Sequence, residues 1–302
     1  MTAGYFVAAG WQRDYALRRL HRWRPVPEGS RIDVEVVTLA CERDALELMR
    51  MASSFVRHAG HPAELVVVDD GSLSRATADA VRRVSRSVRV TSLPEFATAL
   101  PEHPLSERLV AGAFPHAKKL ALLAQGLGER PRLYADTDIE FFPAAARLRA
   151  YVEDPDPRPR YNLHADDAGA LYDPRMTEGL ELAPGVNAGF CLFRGPVDWR
   201  PAFDRLAPVA DDATPLSEQT AVAIAMAGAG GVPLPEDQFV LAWDDLRVPW
   251  DPYARGGAVL RHYASPARRW KLWLRGGPAG MRTLPLAAIE ALVRGRGPGG
   301  AG

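Results

Sequence analysis

Glu64-Leu65-Val66-Val67-Val68-Asp69-Asp70-Gly71-Ser72 is an unbroken apolar run, rich in valine, that stops at an acidic turn. A short run of this kind predicts a strand covered on both faces. Upstream, Ile32-Asp33-Val34-Glu35-Val36-Val37-Thr38-Leu39 alternates and is β-branched, which predicts a strand over 32–39. Between the two, Ala45, Leu48, Met49, Ala52, Phe55 and Val56 recur at helical spacing, and Gly60, His61 and Pro62 stop the helix. A second helical pattern follows the acidic turn as far as Arg83. Strand, helix, strand, helix is the rhythm of a parallel α/β sheet with crossover connections.

The rhythm continues with a strand over 87–92, a looser stretch containing Pro94, Pro101 and Pro104, a helix over 117–125 and a strand over 132–135. Pro155, Pro157 and Pro159 mark a surface loop, 189–193 reads as a strand, 217–226 as a helix, 258–261 as a strand and 284–293 as a terminal helix. This divides the chain into a basic extension over 1–31, a main domain over 32–275 with halves at 32–140 and 141–275, and a C-terminal helix and disordered tail over 276–302.

The chain has 302 residues, with 37 basic and 37 acidic side chains. The balance is uneven along the chain: residues 1–31 carry a net +4, residues 252–302 a net +8, and the centre the opposing negative charge. An acidic centre argues against a protein that coats nucleic acid. The two cysteines, Cys41 and Cys191, form neither a disulfide framework nor a zinc spacing, and no apolar run is long enough to span a bilayer. A soluble cytoplasmic protein is the expectation. Lysine occurs only as Lys118, Lys119 and Lys271, against 34 arginines.

In open α/β sheets ligands lie beyond the carboxyl ends of the strands. Two acidic groups stand there, Asp69-Asp70-Gly71-Ser72 and Asp136-Thr137-Asp138. A lone D-x-D triplet is weak evidence, since Asp154-Pro155-Asp156 repeats the pattern in a loop. Asp136 and Asp138 differ in following a strand and preceding Ile139, Phe141 and Phe142, and carboxylates in half-buried surroundings repel unless a cation lies between them. His262 follows an apolar strand and opens a segment containing Arg268, Arg269 and Lys271. Imidazole with carboxylates suits Mn²⁺ or a similar divalent ion, and the later cations suit a diphosphate.

These segments resemble GT-A nucleotide-sugar glycosyltransferases. The strand before Asp69-Asp70-Gly71-Ser72 is similar to their DDGS-like turn, and Leu133-Tyr134-Ala135-Asp136-Thr137-Asp138-Ile139 to their D-x-D metal motif. Val186-Asn187-Ala188-Gly189-Phe190 is similar to the Asn-Ala-Gly segment of the glycogenin-like and lipopolysaccharide galactosyltransferase group. Glu218-Gln219 stands where that group has Asp-Gln, and His262-x-x-Ser265-x-x-Arg268-Arg269-Trp270 resembles its His-x-x-Gly-x-x-Lys-Pro-Trp motif, with Ser265, Arg268 and Arg269 departing from it.

The resemblance implies a GT-A, Rossmann-like α/β fold with a mostly parallel central sheet flanked by helices. It implies metal-dependent sugar transfer from a nucleotide-diphosphate donor, expected to be UDP-linked, with retention favoured over inversion. Asp136, Asp138 and His262 would hold Mn²⁺ or Mg²⁺, with Arg268 and Lys271 on the diphosphate. Thr38, Asp69 and Asp70 would frame the nucleoside, while Asn187, Ala188, Glu218 and Gln219 would contact the transferred sugar or the acceptor hydroxyl. The acceptor would be a saccharide, a lipid-linked molecule or a small molecule.

Two other readings compete. A sugar-phosphate nucleotidyltransferase needs a glycine-rich anion loop after the first strand, and Ala40-Cys41-Glu42-Arg43 lacks glycine. A binding module without turnover would not need the Asp136, Asp138 and His262 set. A dinucleotide fold is excluded because Gly228-Ala229-Gly230-Gly231-Val232-Pro233 follows a helix and ends on proline. The stretch from Arg13 to Arg24, with Trp11, Tyr15, Leu17, Leu20 and Trp23, reads as an amphipathic helix packed on the domain's flank, the alternative being contact with an anionic membrane surface.

Overall fold

The computed structural model describes residues 2–114, 116–164, 171–241, 253–264 and 272. Its centre is a seven-stranded sheet built from β1 (Arg31–Ala40), β2 (His61–Asp69), β3 (Val88–Ser92), β4 (Arg132–Ala135), β6 (Arg160–Leu163), β7 (Val186–Phe193) and β8 (Val232–Pro233). The spatial order is β3-β2-β1-β4-β7-β6-β8. β1, β2, β3 and β4 are mutually parallel, β7 runs antiparallel to both β4 and β6, and β8 pairs parallel with β6. A second, three-stranded sheet has the order β5-β10-β9, from β5 (Ile139–Phe141), β9 (Phe239–Val240) and β10 (Leu260–His262).

Chemistry on the two faces explains the apolar runs. Leu65 and Val67 of β2 join the core beneath helix Ala45–His58, whereas Val66 and Val68 join a second core beneath helices Ala117–Ala124 and Pro215–Gly228. A strand covered on both faces cannot alternate with polar residues, which is why it reads as a continuous hydrophobic segment. Ala45, Leu48, Met49, Ala52, Phe55 and Val56, the positions that predicted the first helix, are all buried.

Several elements differ from expectation. The proline-containing stretch holds helices Leu93–Phe96 and Pro104–Ala111, because Pro94 and Pro104 occupy the first helical turn, where a proline has no hydrogen bond to lose. Ser92 and Glu95 cap the first reciprocally, and His103 Nδ1 accepts from the Leu105 amide in the second. At the N-terminus the α-helix is Thr2–Leu17, and only a 3₁₀ turn at Leu20–Arg22 falls within the rest of the arginine-rich stretch. Ala16, Leu20, Trp23 and Val26 are buried in the first core, and the Trp23 indole N–H donates to Ser53 Oγ at 2.7 Å. The last strand begins at Leu260, so His262 lies inside it. The expected helix over 284–293 and the tail lie outside the described residues.

The order of strands reverses between β1 and β4: the chain passes from β1 outward to β2 and β3, then returns to β4 on the other side of β1. Their carboxyl ends, Ala40 and Ala135, therefore flank the crevice that such a switch creates.

Candidate active site

A cleft of about 500 Å³ opens at this switch, lined by residues that follow β1, β2 and β4 together with the start of helix Ala117–Ala124 and Glu218. A larger cleft of about 1040 Å³ lies at the opposite end of the strands, by their amino-terminal ends, where Arg31, Arg82, Arg86, Arg130 and Arg149 mingle with Glu28, Asp33 and Glu153. The smaller one holds the reactive groups.

Asp136 and Asp138 leave β4 in a tight turn into β5, whose Ile139 pairs with His262 of β10. The Tyr263 amide donates to the Asp138 carbonyl at 2.9 Å and pins the two segments together. Asp136, Asp138 and His262 thus bring one ligand atom each within 4.8 Å of one another. His262 Nε2 is 3.1 Å from Asp138 Oδ1 and 3.7 Å from Asp136 Oδ2.

The other nitrogen of His262, Nδ1, is 2.9 Å from Asn187 Oδ1, which also accepts the Gly189 amide at 3.0 Å. An oxygen that takes an N–H from the backbone is an acceptor, so Nδ1 carries the proton toward it and the Nε2 lone pair faces the carboxylates. A bare lone pair opposite two carboxylates is repulsive in the absence of a cation, and two oxygens with one imidazole form a donor set that fits a divalent ion such as Mn²⁺. Gly189 makes room for this ring: a Cβ there would stand 2.7 Å from Nδ1 and closer still to Cε1.

Lys119 sits between the triad and Glu218, with Nζ 3.0 Å from Asp136 Oδ2 and 3.3 Å from Glu218 Oε1. Burial alone would lower the pKa of this ammonium, but the charges of Asp136 and Glu218 outweigh it and the net shift is upward. Tyr134 donates to Asp136 Oδ1 at 2.6 Å, and burial followed by the Asp136 charge pushes its phenol far above the ordinary value. Burial likewise raises the Cys191 thiol, partly offset by Lys119, so it is an inert core group. Beyond Glu218, His116 Nδ1 lies 3.6 Å from Glu218 Oε2.

The carboxylates of the acidic turn after β2 are taken up by the turn's own donors. Asp69 Oδ1 accepts the amides of Gly71 and Leu73, and Asp70 Oδ1 accepts the Ser72 amide and hydroxyl, with Gly71 at φ +99°. Asp70 lines the cleft and its carbonyl receives the Lys118 ammonium. Asp69 does not line the cleft, nor does Thr38, which is fully buried within β1 while Leu39 and Ala40 reach the opening. Ala188 is buried in β7, and Gln219 turns its amide to the Leu171 carbonyl at 3.1 Å. Ser265, Arg268, Arg269 and Lys271 lie outside the described residues.

Lys119 and His116 are the residues that sequence reasoning missed. A signal for Lys119 existed, since a chain that uses arginine 34 times keeps two of its three lysines side by side at 118 and 119. His116 has no such signal.

No protein-family model and no curated protein sequence matches the chain. Among solved structures it is similar to the galactosyltransferase LgtC in complex with donor and acceptor sugar analogues, at 15% identity over 86% of this chain and 95% of that one, with a TM-score of 0.49. The bifunctional glycosyltransferase WbbM is 13% identical over 90% of this chain and 53% of its own, with a TM-score of 0.49. A mannosyltransferase from Pyrobaculum calidifontis, solved with GDP-Man and Mn²⁺, is 19% identical over 78% of this chain and 64% of its own, with a TM-score of 0.38.

Proposed function

We propose that this protein is a metal-dependent glycosyltransferase that moves a sugar from a nucleotide-diphosphate donor, UDP-linked by preference, to a saccharide, lipid-linked or small-molecule acceptor. The observation that carries the reading is the Asp136, Asp138 and His262 triad, held by Asn187 and Gly189, at the mouth of the sheet's switch-point cleft.

Asp136, Asp138 and His262 would hold Mn²⁺ or Mg²⁺, which when bound supplies positive charge to the departing diphosphate. The start of helix Ala117–Ala124 lies at the cleft through Ala117 and Lys118, where backbone N–H groups and the helix dipole favour an anion. Arg268 and Lys271 add cations to the same diphosphate. Lys119 keeps Asp136 and Glu218 paired and lies where the transferred sugar would meet the protein. Asp70 frames the nucleoside side of the cleft. Thr38, Asp69, Ala188 and Gln219 support the walls, and Asn187 acts through His262.

Retention is favoured by the Asn187-Ala188-Gly189 and His262 motifs, with the leaving diphosphate taking the acceptor's proton while Glu218 stays paired with Lys119. The alternative course, inversion, would need Glu218 as base.

The test is release of nucleoside diphosphate from UDP-glucose, UDP-galactose and GDP-mannose, with and without Mn²⁺. Metal-dependent release is expected. Binding of UDP and Mn²⁺ without turnover of any donor would instead favour the binding module, and anomeric NMR of the product reads the stereochemistry.

A further inference from the structure

His116 is the only non-glycine residue with a positive φ among the described residues, at φ 63° and ψ 3°. A side chain with a Cβ adopts this left-handed backbone at an energetic cost, and glycine, asparagine or aspartate would bear it more easily. The cost is not explained by the helix that His116 precedes, because its side chain makes no capping hydrogen bond. What the conformation achieves is placement. The imidazole lines the catalytic cleft, is 41% exposed, and turns Nδ1 toward the Glu218 carboxylate, itself only 7% exposed, at 3.6 Å.

The charged groups form a line. Asp138 and His262 begin it, Asp136 follows, then Lys119 at 3.0 Å, Glu218 at 3.3 Å and His116 at 3.6 Å. With the donor's diphosphate at the triad and its sugar at Lys119 and Glu218, the cleft at His116, beside the sugar, is where the acceptor molecule is held. We propose that His116 is the acceptor-binding residue, hydrogen-bonding an acceptor hydroxyl other than the one that attacks, whose own proton goes to the leaving diphosphate. This rests on the transferase reading above.

The chemistry of the pair supports it. At 3.6 Å the contact with Glu218 is electrostatic and longer than a hydrogen bond, and a carboxylate favours an N–H over a lone pair on the nitrogen that faces it, which leaves the lone pair on the opposite nitrogen. Glu218, paired with Lys119, thereby favours the tautomer whose acceptor nitrogen is turned away from the carboxylate. A hydroxyl is the complementary donor. Strain at a functional position, held by surrounding structure, is the expected signature of such an arrangement.

Two variants test the assignment, His116→Asn and His116→Gly, both compatible with the left-handed backbone, so that folding is retained. Steady-state kinetics use a UDP-hexose with Mn²⁺ and the p-nitrophenyl glycosides of glucose, galactose and mannose as acceptors. The expected result is an acceptor KM raised at least tenfold in both variants while the donor KM moves less than twofold. A donor KM that rises as much as the acceptor KM, or an acceptor KM that does not move, overturns the assignment and leaves the transferase reading standing. A wild-type chain that releases no nucleoside diphosphate from any of the donors refutes both.

Discussion

Asn187 Oδ1 stands 2.9 Å from His262 Nδ1 and so decides which nitrogen of that ring faces Asp138. The Gly189 amide fixes the asparagine in turn, making one short chain from backbone to imidazole to carboxylate. Replacing Asn187 with Leu removes the acceptor and frees the ring to rotate or change tautomer. Mn²⁺ affinity, measured by isothermal titration, is expected to fall by about 10–100-fold, the range for groups that orient a metal ligand. Unchanged affinity would show that the ring is held by packing alone.

The ligand itself is more sensitive. Asp138→Asn leaves the turn intact but removes a charge from the triad, and metal-dependent donor turnover should disappear. Near wild-type rates would remove Asp138 from the metal set. Asp154→Asn, in the loop triplet, is the matched control because that carboxylate pairs with Arg160 far from the cleft lining.

Gly189→Ala asks whether the ring's place depends on the missing side chain. The new Cβ would overlap the imidazole and also approach Asn187 Oδ1 at 2.9 Å. The backbone and the rigid ring cannot both stay, so the thermal shift produced by Mn²⁺ should shrink or vanish while the protein still folds. A full metal-induced shift in the variant would contradict this geometry.

Lys119 is a stability element as well as a site residue. Its side chain is 12% exposed and its loss in Lys119→Met would leave Asp136 and Glu218 facing one another without a cation. Breaking a buried pair of this kind costs about 3–5 kcal/mol. Chemical denaturation should report that loss, and Mn²⁺ should restore part of it by returning positive charge to Asp136. A variant as stable as wild type without metal would mean that the carboxylates are protonated or hydrated instead.

Away from the cleft, Asp173 links helix Pro174–Thr177 to helix Pro215–Gly228 through Arg175 and Ser217, each at 2.6 Å. The Arg175 hydrogen bonds dominate and hold the Asp173 carboxyl well below the ordinary carboxylate range. A depressed carboxylate contributes stability above its unfolded pKa of 3.8, and that contribution is lost as pH falls through the lower folded value. Asp173→Asn should therefore lower the Tm at pH 7, and the gap to wild type should close as the pH drops below 3.8. A gap independent of pH would assign the loss to packing.

The legible part of this fold was its hydrophobic patterning. β1 and β2, with helix Ala45–His58 between them, announce themselves because each must be covered by apolar neighbours, and that requirement is written locally. Asp136, Asp138 and His262 were legible as carboxylates and an imidazole at strand ends. What was not legible depends on partners distant in sequence. The β5-β10-β9 sheet is built from strands of two or three residues, too short to show a period. The N-terminal α-helix lies earlier than the arginine pattern indicated, since Leu20 and Trp23 dock from a 3₁₀ turn and the chain after it. Thr38 shares a face of β1 with Ile32, Val34 and Val36, so the alternation itself already places it in the core and away from the opening. Lys119 sits beside Lys118 at the start of a helix otherwise built of Ala and Leu, and only the fold brings Glu218 from 99 positions downstream to meet it.

Asp136 has two carboxylate oxygens, and both are in use: Tyr134 holds Oδ1 and Lys119 holds Oδ2. A cation arriving at the triad must share this ligand with an internal rival. That makes Asp136 an exchangeable grip, weaker than a carboxylate with no competing donor would be. On the proposed function, in which a nucleoside diphosphate leaves with the same ion, a grip that can be handed back to Lys119 is a route to letting go, and product release would depend on how readily one ammonium group reclaims its partner.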